Sequence, residues 1–441
     1  MTIFIGVYLL VVSLALVKGG TPTFISLIWS SFTFMSMIIF LALVPAQSLH
    51  SHISHRIAKI KNSKSILFSA ENAFYLLLLF QLWLFLQILF GISQNMQATQ
   101  DDLILGMGFV ATLLLMSLTE WHQRYKKIFI FALIALGVVQ ALYGLWVFLS
   151  QINQILWMEK LFYLDKPTGT FVNANHFCSY LSLVFILMMS YVFCHLQHKK
   201  QSTRANGSTF SVLEQLYSPF GLIFILFLFA ILATRSIGGI GSLFIVILIV
   251  AVAMLYKRVS KLQVMVGLSC VFIVALLIVL NSDFHTFSKE LNNLEFTLKR
   301  RLAISQAAFR MVIDNWFVGV GAGAFYSSFS PYRDLSVGNS FYHFAHNDYL
   351  QFWAEYGLIG IVILCIMVIQ CIRVNCSVLK QSRNVYRRTF AYASIYSTLL
   401  IAIHSVVDFP LQIPGFALLY LIIIFFNVMI VCRSGQLNNT P

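Results

Sequence analysis

A histidine and a scattered set of arginines carry most of the chemistry this sequence could do. The stretch Ala345-His346-Asn347-Asp348-Tyr349-Leu350-Gln351 is followed by Glu355, Gly357 and Gly360, where a long polar segment returns to an apolar run. An unperturbed imidazole titrates near about pH 6.5, so His346 is a candidate general base for a hydroxyl. Read as a helix, the segment puts His346, Tyr349 and Leu350 on one face. The plainer reading is an interfacial histidine bonded to a backbone carbonyl.

The arginines suggest an anion. Arg235 stands in Thr234-Arg235-Ser236-Ile237-Gly238-Gly239, between two apolar runs. A guanidinium at membrane depth is costly and marks a site unless it snorkels to the interface. The Ser-Ile-Gly-Gly that follows offers backbone amides at a helix start, where an anion can bind. Arg300, Arg301 and Arg310 fall on an amphipathic helix expected over about 298–313. Nine residues separate Arg301 from Arg310, and at about 100° per residue they point to opposite faces. Arg301 is therefore preferred for the site, with Arg300 as its substitute, and Arg310 is left to solvent or lipid headgroups.

Gly319-Val320-Gly321-Ala322-Gly323 has the composition of a phosphate-cradling loop, but no Lys-Ser/Thr follows, so it is not a P-loop and is read as a tight turn after Trp316. Two further motifs place polar groups beside proline or glycine at the mouths of apolar runs. One is Thr168–His176, with Asn175 and His176; the other is His404–Pro414, with Asp408. The prolines are turn punctuation, and the plain role of Asp408 is a buried partner for an arginine. Arginine forks bind phosphate bidentately and a neutral histidine can deprotonate an attacking hydroxyl. Together they suit displacement at a carbon bearing a phosphate leaving group, with the donor embedded in lipid. No carboxylate cluster demands a metal, although Asp348, Asp408 and Glu355 would be the groups to hold one.

The elements that position these residues follow from composition. Of 441 residues 59% are hydrophobic and 10% charged, against about 25% charged in a soluble domain. The bilayer must therefore be the solvent. The net charge of +14 falls in short loops between apolar runs, which argues for a topological role rather than nucleic-acid binding. The 7 cysteines form no CxxC pair and read as small buried hydrophobes. The first apolar run lacks a basic leader, so it reads as a span rather than a cleaved signal.

A spanning helix takes about 20 apolar residues. Spans are expected at 2–18, 21–46, 73–93, 102–119, 127–150, 177–197, 216–234, 236–256, 263–280, 357–374, 389–407 and 411–432. With the N-terminus inside, 19 of the 29 Lys and Arg fall in inside segments, and only Glu71, Glu120 and Glu214 of the acids do. That Lys/Arg bias places both termini in the cytoplasm. The expected fold class is an all-α polytopic membrane protein of about twelve transmembrane helices, with a large outer loop between spans 9 and 10. Four sections follow: spans 1–5 over 1–150, spans 6–9 with the outer-face motifs over 151–280, the outer loop over 281–356, and spans 10–12 over 357–441.

With these residues in view, the chain resembles the O-antigen ligase / O-antigen polymerase superfamily of bacterial membrane glycosyltransferases. The resemblance rests on Thr168–His176, on Arg235–Gly239, on Arg301–Phe325 with Asn315-Trp316-Phe317-Val318-Gly319-Val320-Gly321, and on His346–Gly360. His404–Pro414 is similar to some members, so the likeness runs from about 165 to 415, while the N-terminal third matches in hydropathy alone. It implies a GT-C-like membrane fold in the bacterial inner membrane, with the large loop periplasmic. It also implies an undecaprenyl-diphosphate-linked glycan donor, a lipid A–core or glycan acceptor, surrounding membrane lipids, and inverting transfer without metal or cofactor. By similarity His346 would be the base, with His343 three residues away competing for the role. Arg235 and Arg301 would hold the diphosphate and stabilise its developing charge. Arg300, Asn347, Tyr349, Asn175, His176, His343 and Asp408 would contact substrate.

Three activities share this scaffold: a ligase acting on the lipid A–core of lipopolysaccharide, a polymerase joining repeat units, and a protein O-oligosaccharyltransferase. The last usually has an extra C-terminal domain, and here Pro441 follows soon after the final apolar run. A lipid-linked glycan transporter would also suit intramembrane arginines. Transporters tend to show repeats and mid-span polar residues, whereas here the polar residues cluster at the outer mouth.

Overall fold

The structure is a computed structural model that describes residues 18–20, 23–43, 72–206, 219–256, 284–333 and 342–434. Its helices are α1 (Thr23–Leu43), α2 (Asn72–Leu89), α3 (Met96–Leu118), α4 (Gln123–Leu149), α5 (Ala174–Asn206), α6 (Pro219–Ala233), α7 (Ile237–Tyr256), α8 (Phe284–Asp314), the single turn α9 (Phe325–Ser328), α10 (Asp348–Gln381), α11 (Val385–His404) and α12 (Pro414–Ser434). A small hairpin pairs β1 (Gln154–Ile155) antiparallel with β2 (Met158–Glu159).

Among the described residues six helices are long and apolar enough to cross a membrane: α2, α3, α4, α5, α10 and α12. Shorter apolar stretches lie in α1, α6 and α7. The chain is thus an all-α, multi-pass membrane protein. The spans expected at 2–18 and 263–280 lie outside the described residues.

α5 and α12 form the middle of the bundle. Phe177, Tyr180, Leu181 and Val184 of α5 and Phe416, Phe425 and Phe426 of α12 are buried in one continuous apolar core. Three helix starts in this bundle are fixed by asparagine caps, whose side chains satisfy amides the helix itself leaves open. Asn95 accepts from the Ala98 amide (3.2 Å), Asn347 from Leu350 (3.0 Å) and Asn384 from Tyr386 and Arg387 (both 3.1 Å).

One end of the bundle collects the described connections 90–95, 150–173, 234–236, 315–333, 342–347 and 405–413. Gln94 donates to the Val320 carbonyl, Asn175 to Asp408, and Gly238 lies against His404 and Val407. At the same end α8 buries Ile304, Ala307, Ala308 and Met311 against Val320, Phe325, Phe329 and Ala354. The amphipathic helix expected over 298–313 is real but longer, reaching back to Phe284.

The start of the span after the large loop differs from expectation. α10 begins at Asp348, not at 357, and Gly357 interrupts it with φ 64° and ψ −174°. The apolar run begins near Gly357, but the cap that starts the helix is Asn347, ten residues earlier. The break is used. Val320 donates to Ala354 O (2.8 Å), Gly321 to Glu355 O (3.1 Å) and Leu358 to Trp316 O (2.8 Å), so the loop after α8 docks along the opened helix. Gln87 of α2 bonds the carbonyls of Val318 (2.8 Å) and Glu355 (2.9 Å). Gly319, at φ +75°, approaches so closely that a β-carbon there would sit 2.3 Å from Glu355 O. The glycine run is therefore a tight turn, as the sequence suggests.

Candidate active site

Asp408 is the centre of the polar cluster at this end. It lies in the turn between α11 and α12, is 1% exposed, and sits where residues from four elements converge. Asn175, near the start of α5, donates to its Oδ2 at 2.7 Å. His176 Nε2 stands 3.8 Å from Oδ1, while His404 Nε2 and Arg301 Nη2 each stand 3.8 Å from Oδ2. Burial pushes the Asp408 carboxyl up, but His176, His404, Arg301 and His346 together outweigh it and hold the group below its ordinary range. The cluster is thus built around a carboxylate that stays charged.

Arg301 reaches the cluster because it lies one turn before Ile304 on the inward stripe of α8. Its Nη1 donates to the Val407 carbonyl, and 24% of its side chain remains exposed. The guanidinium is oriented from behind by Val407 and Asp408 and keeps a free side for an anion. Arg310 goes elsewhere, donating to the Tyr332 carbonyl at 2.9 Å, which agrees with the opposite-face reading. Arg300 bonds the Tyr342 hydroxyl at 2.5 Å and stacks over its ring.

His346 is not on a helix, so the expected shared face with Tyr349 and Leu350 does not exist. It precedes the Asn347 cap with φ 53°, a left-handed conformation that costs a non-glycine residue free energy and is held only by its surroundings. Those surroundings are specific. The Ala345 amide donates to Gln351 Oε1 (3.0 Å), Gln351 Nε2 donates to Glu355 Oε1 (3.2 Å), and the His346 ring meets Phe409 edge-on at 4.9 Å. Phe409 also takes His176 edge-on at 4.7 Å and stacks on Phe344 at 4.3 Å. Burial, then the nearby Arg301 charge, lower the His346 pKa to about 4, with Asp408 opposing. The imidazole is therefore neutral at pH 7 and able to accept a proton.

The other expected residues are placed as follows. Asn347 Nδ2 bonds Val406 O (3.0 Å), and the Tyr349 hydroxyl bonds Ala402 O (2.8 Å). Both tie the start of α10 to the end of α11. Arg235 occupies an exposed turn at φ 50°. The α7 start that follows lies against the cluster, since a β-carbon on Gly238 would be 3.3 Å from His404 Nε2. His343 is not gathered with the others; it stacks on Tyr326 at 4.2 Å.

Sequence reasoning missed Ser179, and gave no role in the site to His404 and Ser405 of the 404–414 motif or to Asp348, which it weighed as a group that could hold a metal. His404 Nδ1 pairs with the Ser179 hydroxyl at 2.9 Å. Asp348 receives Ser405 Oγ (2.7 Å) and the Leu411 amide (3.3 Å), clamping the turn that carries Asp408. The four-residue spacing of His404 and Asp408 was the available signal, because it puts both on one helical face.

The arrangement offers a neutral base, an oriented guanidinium and a fixed carboxylate at one end of a membrane bundle. It can deprotonate a hydroxyl and stabilise a departing anion. Comparison with known proteins bears on which reaction. No curated protein matches the chain. Residues 222–365, which run from α6 through Arg235, Arg301 and His346 into α10, match the family described as O-Antigen ligase. Through these residues, about a third of the chain, the protein is similar to the O-antigen ligase family.

Proposed function

We propose that the protein is a glycosyltransferase that moves a glycan from undecaprenyl diphosphate to a hydroxyl of lipid A–core at the periplasmic face of the inner membrane. The observation that carries this reading is the meeting of a neutral His346 with Arg301, both inside the segment similar to the O-antigen ligase family, beside Asp408, which lies past it. In the proposed step His346 takes the acceptor hydroxyl proton. The acceptor oxygen attacks the anomeric carbon as the bond to the diphosphate breaks on the opposite face, so the configuration inverts. The electron pair leaves with undecaprenyl diphosphate, and Arg301 and Arg235 neutralise it in place of a metal. Asp408 keeps Arg301 aimed and offsets its charge. Asn175 and His176 fix the carboxylate, and Arg300 and His343 lie on the loop side where the glycan would extend.

The test is transfer by purified protein in liposomes, given a polyprenyl-diphosphate glycan and lipid A–core or a second repeat unit. One capped addition supports a ligase; a ladder of products makes the protein a polymerase on the same scaffold. Passage of intact donor across the membrane without release of polyprenyl diphosphate would make it a transporter.

A further inference from the structure

The connection between α4 and α5 has its polarity inside out. Lys160 is buried, with Nζ bonded to Lys166 O at 2.7 Å. Trp157, Leu161 and Phe162 are 73, 67 and 63% exposed. A loop standing in water would show the reverse, because exposed clusters of large apolar side chains mark a contact surface.

Its depth follows from one bond. The Leu156 amide, at the hairpin tip, donates to the Tyr143 hydroxyl at 2.7 Å. Tyr143 lies six residues before the end of α4, which is about 9 Å of helix, and a tyrosine on a helix leans back toward the helix start. The tip therefore folds down beside the helix rather than rising above it. There it joins the stripe Val139, Leu142, Trp146 and Leu149, the exposed apolar face of α4. Tryptophan at such a level is typical of the membrane–water interface. The same loop runs into the site. It ends two residues before Asn175, which donates to Asp408 Oδ2 at 2.7 Å, and Tyr163 lies near enough to Asp408 and Arg301 for their charges to act on its hydroxyl.

We propose that the 154–159 hairpin and Leu161–Leu164 form an interfacial anchor, seated among the acyl chains of the leaflet on the site's side, which makes Tyr163 the lipid-facing wall of the Asp408–Arg301 site. The anchoring stands on geometry alone. The wall's use, admission of a lipid-linked diphosphate sideways from the membrane, rests on the function proposed above.

Depth-dependent quenching tests it on the full chain in liposomes. Trp157→Cys, Leu161→Cys and, as a water-facing reference, Asp165→Cys are labelled with an environment-sensitive fluorophore, with Cys365 and Cys376 replaced by alanine. Lipids brominated on their acyl chains should quench the labels at 157 and 161 several-fold more than the label at 165, and aqueous iodide should do the reverse. Iodide reaching 157 and 161 as readily as 165 overturns the anchor, as does shielding from both quenchers, which would mean that protein covers the patch. In transfer assays Leu161→Ser should raise KM about tenfold for a long polyprenyl donor and leave KM unchanged for a short, water-soluble prenyl donor. Equal KM changes with both donors overturn the wall. Absence of transfer by the parent protein would count against the proposed function and leave the quenching result standing.

Discussion

At the residue scale the account turns on His346 being neutral for a physical reason. Its lowered pKa comes from burial first and from Arg301 second. A base whose pKa is lowered stays deprotonated to lower pH, so kcat/KM should hold level from pH 8 down to about 5 and fall only near about 4. A pH profile on the reconstituted protein checks this, and an acid limb near about 6.5 would mean that the imidazole is solvated. Gln351 holds the backbone before His346 through the Ala345 amide and is itself held by Glu355. Gln351→Ala should lower kcat about tenfold with little change in KM, because it loosens the base without touching the donor.

At the element scale the site depends on where α10 begins and on how it is broken. Asn347 caps α10 and bonds Val406, so Asn347→Ala removes a cap and a link to the turn carrying Asp408. The expected loss is about 1–2 kcal/mol, measured as a lower midpoint in thermal or denaturant unfolding in detergent. Gly319→Ala meets the main chain of Glu355 and Gly357, which cannot move away like a flexible side chain. It should cost about 2 kcal/mol or more and disorder the loop docked on α10, which limited proteolysis near 315–325 would detect.

Much of this was legible in the sequence. Arg235, Arg301, His346 and Asp408 stand out because polar groups at the mouths of apolar runs are rare. The opposite destinations of Arg301 and Arg310 follow from helical phase alone. The start of α10 was not legible, because hydropathy points to Gly357 while capping chemistry points to Asn347. His404 stood out in its motif, but Ser179 read as part of an apolar run, and their pairing was not legible because it joins positions 225 residues apart. The left-handed turn at His346 has no sequence signature, because it is imposed by Gln351 and Phe409.

At the scale of the whole molecule, connections from across the chain gather at one end of the bundle, and the orientation we propose from the Lys/Arg bias puts that end outside. The polar bonds at the other end are structural: Asn427 links Asn375 of α10 (2.8 Å) to the Arg387 carbonyl of α11 (2.9 Å). Single cysteines replacing Asp165 and Arg383 should therefore label from opposite sides of the inner membrane with an impermeant maleimide, the first from the periplasm. The most direct test of the central claim is release of undecaprenyl diphosphate by purified His346→Ala protein, with folding checked by its unfolding midpoint. The account predicts that transfer falls by about 100-fold or more, the scale of a lost general base, at an unchanged midpoint; transfer at the parent rate by the folded variant would contradict it.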